Sequence, residues 1–219
     1  MADFAAMRAN MVEGQILPSK VSDRRLIDAM LRMPRERFVP AALRGVAYVD
    51  EDLEIAPGRF LMEPVVMARL IQAAAIAPSD LVLDVGCATG YATAIMGALA
   101  GTVLGLESDP DLAARASALL AELGIDNAAV VEGPLVEGCP HQGPFDVIFI
   151  GGAVAEPPRA IVDQLAEGGR LVAVIGGGQG VMGEARRITR IGGIVSGRPL
   201  FDAAVPLLPG VQAKLSFVF

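Results

Sequence analysis

The amino-acid sequence predicts an α/β fold with a mostly parallel central sheet, helices on both faces and antiparallel strands at its C-terminal edge. From residue 64 onward, short apolar runs alternate with helical patterns, which is typical of linked strand–helix–strand units. The apolar runs are nearly continuous, as expected for strands that are buried on both faces. The tail from Ala185 to Phe219 has further apolar patches at Ile188, Ile191, Ile194 and residues 215–219, and these predict the edge strands.

Helix caps and breakers set the boundaries of the predicted elements. Asp23, after Ser22, can cap a helix that Pro34 breaks, and Pro64 can open the next helix at its first turn. Residues 42–64 hold few regular signals apart from a turn at Pro57-Gly58. The predicted strands span residues 81–85, 102–107, 128–131, 145–150 and 171–175, and the later helices span residues 64–77, 91–100, 110–123 and 157–165. We divide the chain into an N-terminal helical extension, residues 1–64, and one compact unit, residues 65–219.

Composition restricts the class of protein. The 219 residues are 53% hydrophobic with a net charge of −7, so the chain can form a sizeable core and we expect no nucleic-acid partner. The stretch from Val85 to Leu106 has no charged residue, but it divides into a glycine loop, a short helix and a strand, so we expect no membrane span. The N-terminus lacks the pattern of a signal peptide, which favours a cytoplasmic protein.

The cysteines and the histidine give weaker information. Cys87 and Cys139 lie far apart and match no metal-binding spacing, so we expect no metal site. They are either two reduced thiols, as is usual in the cytoplasm, or the two halves of one disulfide. His141, the only histidine, lies in a turn-rich loop, and a catalytic role for it rests on that position alone.

The segment LVLDVGCATGY, residues 81–91, predicts a ligand site. It reads as a buried strand, a turn that contains Gly86 and Gly90, and the start of a helix. In open parallel sheets, ligands bind at the carboxyl ends of the strands, where glycine lets the backbone approach them closely. The spacing does not match the dinucleotide fingerprint, and no P-loop lysine follows, so a nicotinamide-dependent oxidoreductase is the weakest alternative.

A second acid strengthens this prediction. Glu107 ends the next predicted strand, about 20 residues after Asp84, where the acid that binds ribose hydroxyls usually lies. A carboxylate accepts from both hydroxyls and would repel a 2′-phosphate. Loop and acid together favour a ligand with an unphosphorylated ribose. The alternative is that there is no ligand site: the glycines only form a tight strand-to-helix turn, and Glu107 is a solvated strand end.

The segment DVGCATGY resembles the first motif of class I S-adenosylmethionine-dependent methyltransferases, which have a Rossmann-like fold. Nearly the whole chain resembles the protein-L-isoaspartate O-methyltransferase family, and MPRERFVP (33–40), FDVIFIGGAVAEPP (145–158) and LAEGGRLVAVIG (165–176) carry that resemblance. It implies S-adenosyl-L-methionine as the cofactor and isoaspartyl residues of damaged protein as the substrate. By this resemblance, residues 1–64 lie on the substrate side and residues 65–219 hold the cofactor. The cofactor-binding positions it implies are Asp84, Gly86, Cys87, Ala88, Gly90, Glu107, Gly133 and Pro134.

Two departures from the family pattern concern the site itself. Where the family has a Thr-x-Ser-Gln-Pro-like segment at the reaction centre, this chain has Phe60, Leu61, Met62, Glu63 and Pro64. Met62 and Glu63 therefore stand at the catalytic positions with altered chemistry. Where the family has a Gly-Asp-Gly segment that contacts the adenine, the chain has Gly133, Pro134 and Leu135. The alternative function is therefore a cofactor-binding homologue without isoaspartyl methyltransferase activity, which acts on another substrate or as an interaction protein.

Overall fold

The computed structural model describes residues 2–178 and 181–211. Its elements are α1 (Phe4–Met11), α2 (Arg24–Arg32), β1 (Leu53–Ala56), β2 (Arg59–Leu61), α3 (Pro64–Ala74), β3 (Leu81–Val85), α4 (Tyr91–Gly97), β4 (Thr102–Glu107), α5 (Pro110–Glu122), β5 (Ala128–Glu132), β6 (Phe145–Val154), α6 (Arg159–Val162), β7 (Leu165–Gly178), β8 (Val181–Ile191) and β9 (Ile194–Ala203). One turn of π-helix, Val12–Ile16, continues α1, and 3₁₀ turns cover Arg35–Arg37 and Ala41–Val46.

The main sheet has seven strands in the order β5-β4-β3-β6-β7-β8-β9. Strands β3 to β7 pair in parallel, whereas β8 and β9 add antiparallel. The predicted α/β fold with antiparallel edge strands is confirmed; the strand predicted at residues 215–219 lies outside the described residues. The strand order reverses between β3 and β6, and this is where open sheets of this kind bind ligands.

Several helices and strands differ from the sequence prediction. Strands β6 and β7 end at Val154 and Gly178, beyond the predicted ends at residues 150 and 175. Residues 53–61, expected to be irregular, form the β1–β2 hairpin, which turns at Pro57-Gly58 as predicted. Helix α3 ends at Ala74 because Ala75 adopts a left-handed conformation, and α4 ends at Gly97. Helix α6 is only four residues long, because the chain enters β7 at Leu165, where a helical residue was expected.

The segment MPRERFVP is fastened by a buried arginine. Arg35 is fully buried, and its guanidinium donates from Nε to the carbonyl of Ala47 (2.7 Å) and from Nη2 to that of Met62 (2.8 Å). The guanidinium carbon also lies 4.9 Å from the centroid of the Tyr91 ring, a favourable cation–π geometry. Arg35 thereby fixes the backbone at Met62 against the start of α4.

The core does not stop at residue 64. One cluster of buried side chains contains Leu26 and Phe38 from the N-terminal part together with Met67, Tyr91 and Val147. The division of the chain at residue 64 stays a prediction. Within residues 2–178 and 181–211, no helix combines the length and the apolar character that a membrane span requires.

The far edge of the sheet is formed by β9. Across the described residues, β9 pairs only with β8, and its outward side chains are mostly exposed. Pro199 lies within β9, opposite Arg186.

Candidate functional site

The loop between β3 and α4 has the backbone that its glycines allow. Gly86, Ala88 and Gly90 have positive φ angles of 77°, 53° and 87°. The N–H groups of Gly86 and Cys87 both donate to the carbonyl of Leu106, at 2.8 and 3.1 Å, which ties the loop to β4. A left-handed alanine costs about 1–2 kcal/mol, so Ala88 must be held there by its contacts.

The contact that holds Ala88 is made by Glu107. The N–H of Ala88 donates to Oε2 of Glu107 at 2.8 Å, so the structure brings together the two parts of the predicted ligand site. Glu107 is fully buried at the end of β4. The N–H groups of Ser108 and Asp109 also donate to its Oε1, at 2.8 and 3.0 Å.

Arg59 completes the surroundings of Glu107 and was not foreseen from the sequence. Its Nη1 and Nη2 donate to Oε1 and Oε2 of Glu107 at 2.5 and 2.6 Å, and the arginine is 6% exposed. The carboxylate thus accepts from three backbone N–H groups and two guanidinium N–H groups, and the Ser108 hydroxyl adds a longer contact to Oε1 at 3.5 Å. A carboxylate has about four lone-pair sites, so none is left for a ligand hydroxyl in this arrangement.

Asp84 lies at the end of β3 and is fully buried. Its Oδ2 accepts from Thr93 Oγ1 at 2.6 Å, while its Oδ1 has no hydrogen-bond partner among the described residues. Burial, aided by the charge of Glu107, raises the pKa of Asp84 to about 7 against the opposing bond from Thr93. Burial also raises the pKa of the neighbouring Cys87 thiol, which therefore stays protonated.

Met62 and Glu63 lie in different surroundings although they are adjacent in sequence. Met62 is buried and lines a cavity of about 20 Å³ together with Phe60, Asp84 and Gly86. Glu63 is half-buried, and its N–H donates to Oδ1 of Asp52 at 2.9 Å.

The neighbourhood of Glu63 is acidic. Burial, followed by the charges of Asp52, Asp50 and Glu51, raises the pKa of Glu63 to about 7. Burial is also the main cause that raises the pKa of Asp52 to about 6. A substrate carboxylate that approached Glu63 would therefore meet several acids, while the buried guanidinium of Arg35 acts on Asp52 and lowers its pKa against the effect of burial.

Little empty space remains beside the glycine loop. The cavity of about 20 Å³ has room for roughly one water molecule, which needs about 10–15 Å³. Leu208 covers the other side of Gly86, since a Cβ at Gly86 would lie 2.7 Å from Leu208 Cδ1. The N–H of Leu208 donates to the carbonyl of Ala153 at 2.8 Å, which fixes the segment in place.

The remaining predicted residues lie at the rim or away from the loop. The N–H of Gly133 donates to the backbone carbonyl of Glu107 at 2.9 Å, so Gly133 lies next to the acid, whereas Pro134 is exposed. His141 is exposed in a turn, and no described contact joins it to the loop. Cys87 and Cys139 are both buried and free, so they form no disulfide with each other.

The residues missed by sequence reasoning are Arg59 and Leu208. Both reach the loop from distant parts of the chain, and no spacing or motif links residue 59 to residue 107, or residue 208 to residue 86. The only local hint was that Arg59 directly precedes the altered segment that starts at Phe60.

Comparison with known proteins agrees with the resemblance noted in the sequence. The family model described as Protein-L-isoaspartate(D-aspartate) O-methyltransferase matches residues 7–198. The protein-L-isoaspartate O-methyltransferase of Koribacter versatilis is 43% identical over 80% of this chain and 79% of its own length. That of Roseiflexus castenholzii is 38% identical over 95% of this chain and 94% of its own length.

Solved structures show the same fold. A protein-L-isoaspartate O-methyltransferase superposes with a TM-score of 0.79 at 25% identity, over 93% of this chain and 66% of its own. A Plasmodium falciparum protein described as a protein-L-isoaspartate O-methyltransferase, in complex with S-adenosyl-L-homocysteine, gives 0.78 at 23% identity over 96% and 100%. The chain therefore belongs to the protein-L-isoaspartate O-methyltransferase family of methyltransferases.

Proposed function

We propose that this chain transfers the methyl group of S-adenosyl-L-methionine to the free α-carboxylate of isoaspartyl residues in damaged protein. The observation that carries the proposal is the hydrogen bond from Ala88 N–H to Glu107, which joins the glycine loop and the acid into one site at the switch in strand order. Both cysteines are free, which supports a reducing compartment such as the cytoplasm.

The residues around the loop fit the cofactor in kind. Glu107 is the acceptor that ribose hydroxyls require, and the buried Oδ1 of Asp84 is an acceptor without a partner among the described residues. In this structure, however, the guanidinium of Arg59 binds both carboxylate oxygens of Glu107, and the side chain of Leu208 covers Gly86. The fit therefore requires that Arg59 first leave Glu107.

The reaction itself requires little acid–base catalysis by the protein. S-adenosyl-L-methionine supplies an electrophilic methyl group, and the substrate α-carboxylate is already ionised at neutral pH, so no general base is needed. The protein has to align the carboxylate oxygen with that methyl group, exclude water and hold both partners. Such a reaction therefore needs no catalytic triad.

The altered segment is expected to weaken substrate binding. Met62 has no hydrogen-bond donor, and Glu63 repels a carboxylate whenever it is ionised. Because the pKa values of Glu63 and Asp52 are raised to about 7 and about 6, this repulsion should grow as the pH rises from 6 to 8.

The test is methyl-ester formation with labelled cofactor on an isoaspartyl peptide, with the matching aspartyl peptide as control. We expect turnover on the isoaspartyl peptide only, with a KM that increases between pH 6 and pH 8. The double variant Met62→Ser with Glu63→Gln should increase kcat/KM and flatten that pH dependence. If the folded protein binds S-adenosyl-L-homocysteine but methylates no isoaspartyl peptide at either pH, the proposed substrate is wrong.

A further inference from the structure

Apart from the long contact from the Ser108 hydroxyl at 3.5 Å, the hydrogen bonds to Glu107 are of two kinds. Three come from the backbone N–H groups of Ala88, Ser108 and Asp109, which are fixed by the loop and by the start of α5. The other two come from the side chain of Arg59, on a two-stranded hairpin outside the main sheet. Because Arg59 donates from its side chain, it can leave Glu107 without any change in the backbone of the loop.

The two bonds from Arg59 have the geometry of a diol contact. Nη1 and Nη2 present two N–H groups side by side, one to each oxygen of the carboxylate. The 2′ and 3′ hydroxyls of a ribose present two O–H groups side by side to the same pair of oxygens. Since Glu107 already accepts more bonds than its lone pairs favour, it cannot serve both partners at once.

We propose that Arg59 and the ribose of the adenosyl ligand compete for Glu107, so that release of Arg59 is a condition of cofactor binding. This inference rests on the proposed function and identifies Arg59 as the residue that sets cofactor affinity. Asp52 and Arg59 both line a second small cavity, of about 10 Å³, so Asp52 offers a nearby carboxylate to the released guanidinium. The intact chain should therefore bind the cofactor weakly.

Arg59 is buried, and its loss also affects folding, so the test needs a control for broken ion pairs. Arg170 supplies that control. It pairs with the carboxylate of Asp80, the two side chains being 13% and 10% exposed, before the first residue of β3. Arg170→Gln breaks an arginine–acid pair at the amino ends of the parallel strands, whereas Glu107 lies at their carboxyl ends and keeps its contacts.

The experiment is calorimetric titration of the whole chain with S-adenosyl-L-homocysteine, on the wild type, Arg59→Gln, Arg59→Lys and Arg170→Gln. We expect Arg59→Gln to bind at least tenfold more tightly than the wild type. Arg59→Lys should fall between the two, because an ammonium cannot bind both oxygens as a fork. Arg170→Gln should match the wild type. If circular dichroism shows Arg59→Gln unfolded, Arg59→Met, which keeps the apolar stem, takes its place.

The outcomes separate the two proposals. Equal or weaker binding by Arg59→Gln would overturn the competition and leave the proposed function standing. If neither the folded wild type nor the folded Arg59 variants bind S-adenosyl-L-homocysteine, both the competition and the proposed cofactor are wrong. Tighter binding by Arg170→Gln as well would assign the effect to general loosening and overturn the competition.

Discussion

Two arginine–acid pairs lie at opposite ends of the parallel strands and are built differently. Arg170 donates to the carbonyls of Ala74 (2.6 Å), Ala75 (2.7 Å) and Asp146 (3.3 Å) and also pairs with Asp80. It thereby satisfies carbonyls at the end of α3, where a helix leaves them without partners. The described hydrogen bonds of the Arg59 side chain, in contrast, all go to Glu107.

The difference separates a structural arginine from an exchangeable one. Arg170 joins three parts of the chain, so no single ligand could replace it. Arg59 serves one carboxylate that already has three backbone donors, and two hydroxyls could take over its role. Burial alone does not distinguish the two arginines, whereas the distribution of their donors does.

The largest effect is expected from removal of the acid in each pair. Glu107→Ala should lower the free energy of unfolding by about 3–5 kcal/mol, because it leaves the Arg59 charge and three backbone N–H groups buried without an acceptor. Asp80→Ala should cost less, about 1–3 kcal/mol, because Arg170 keeps its three carbonyl partners. Urea denaturation measures both, and equal losses would contradict the distinction between the pairs.

The second largest effect is a pH dependence of stability, which originates from Asp84 at the carboxyl ends of the parallel strands, near Glu107. Asp84 has a pKa of about 7 in the folded chain against 3.8 as its ordinary value, so the folded state binds the proton more tightly. The contribution of Asp84 to the free energy of unfolding is favourable at low pH and is lost as the pH rises from about 4 through 7. The loss amounts to as much as about 4 kcal/mol.

Asp84→Asn keeps an acceptor for Thr93 and removes the titration. The variant should match the wild type near pH 5 and exceed it in stability at pH 8, as measured by urea denaturation at a series of pH values. Arg170→Gln, measured in parallel, should keep the wild-type slope between pH 5 and pH 8. A wild-type slope in Asp84→Asn would show that Asp84 does not titrate in this range.

The smallest effect is expected from a conservative change in the structural pair. Arg170→Lys keeps the charge, but an ammonium lacks the planar fork with which the guanidinium reaches three carbonyls and a carboxylate. The change should therefore cost about 1 kcal/mol. The variant's affinity for S-adenosyl-L-homocysteine should stay unchanged. A thermal melt and a titration check the two statements, and a changed affinity would show that the two ends of the sheet are coupled.

Prediction from sequence succeeded where the signal was local and continuous. Strands β3 and β4 were predicted with their observed bounds, because buried parallel strands read as uninterrupted apolar runs between clear turn residues. The β1–β2 hairpin was missed because its strands are only four and three residues long, too short to show an alternating pattern. Helix α6 was predicted too long because the apolar residues up to Leu165 suit either a helix or a strand.

The site shows the same limit. The proximity of Glu107 to the glycine loop followed from the parallel sheet, since the carboxyl ends of neighbouring strands share one edge. The placement of Arg59 on Glu107 and of Leu208 on Gly86 depends on how a hairpin and the segment after β9 fold back over that edge. Contacts of this kind are set by tertiary packing, so neither residue carried a signal in its own neighbourhood.

The proline in β9 bears on how copies of this chain behave when concentrated. An outermost strand offers unpaired backbone groups to any other extended chain, and strand-by-strand growth of aggregates begins at such edges. Pro199 cannot donate a backbone hydrogen bond, so a ladder added along β9 would be interrupted at that residue. The long exposed margin of the sheet therefore carries its own barrier to fibril-like stacking.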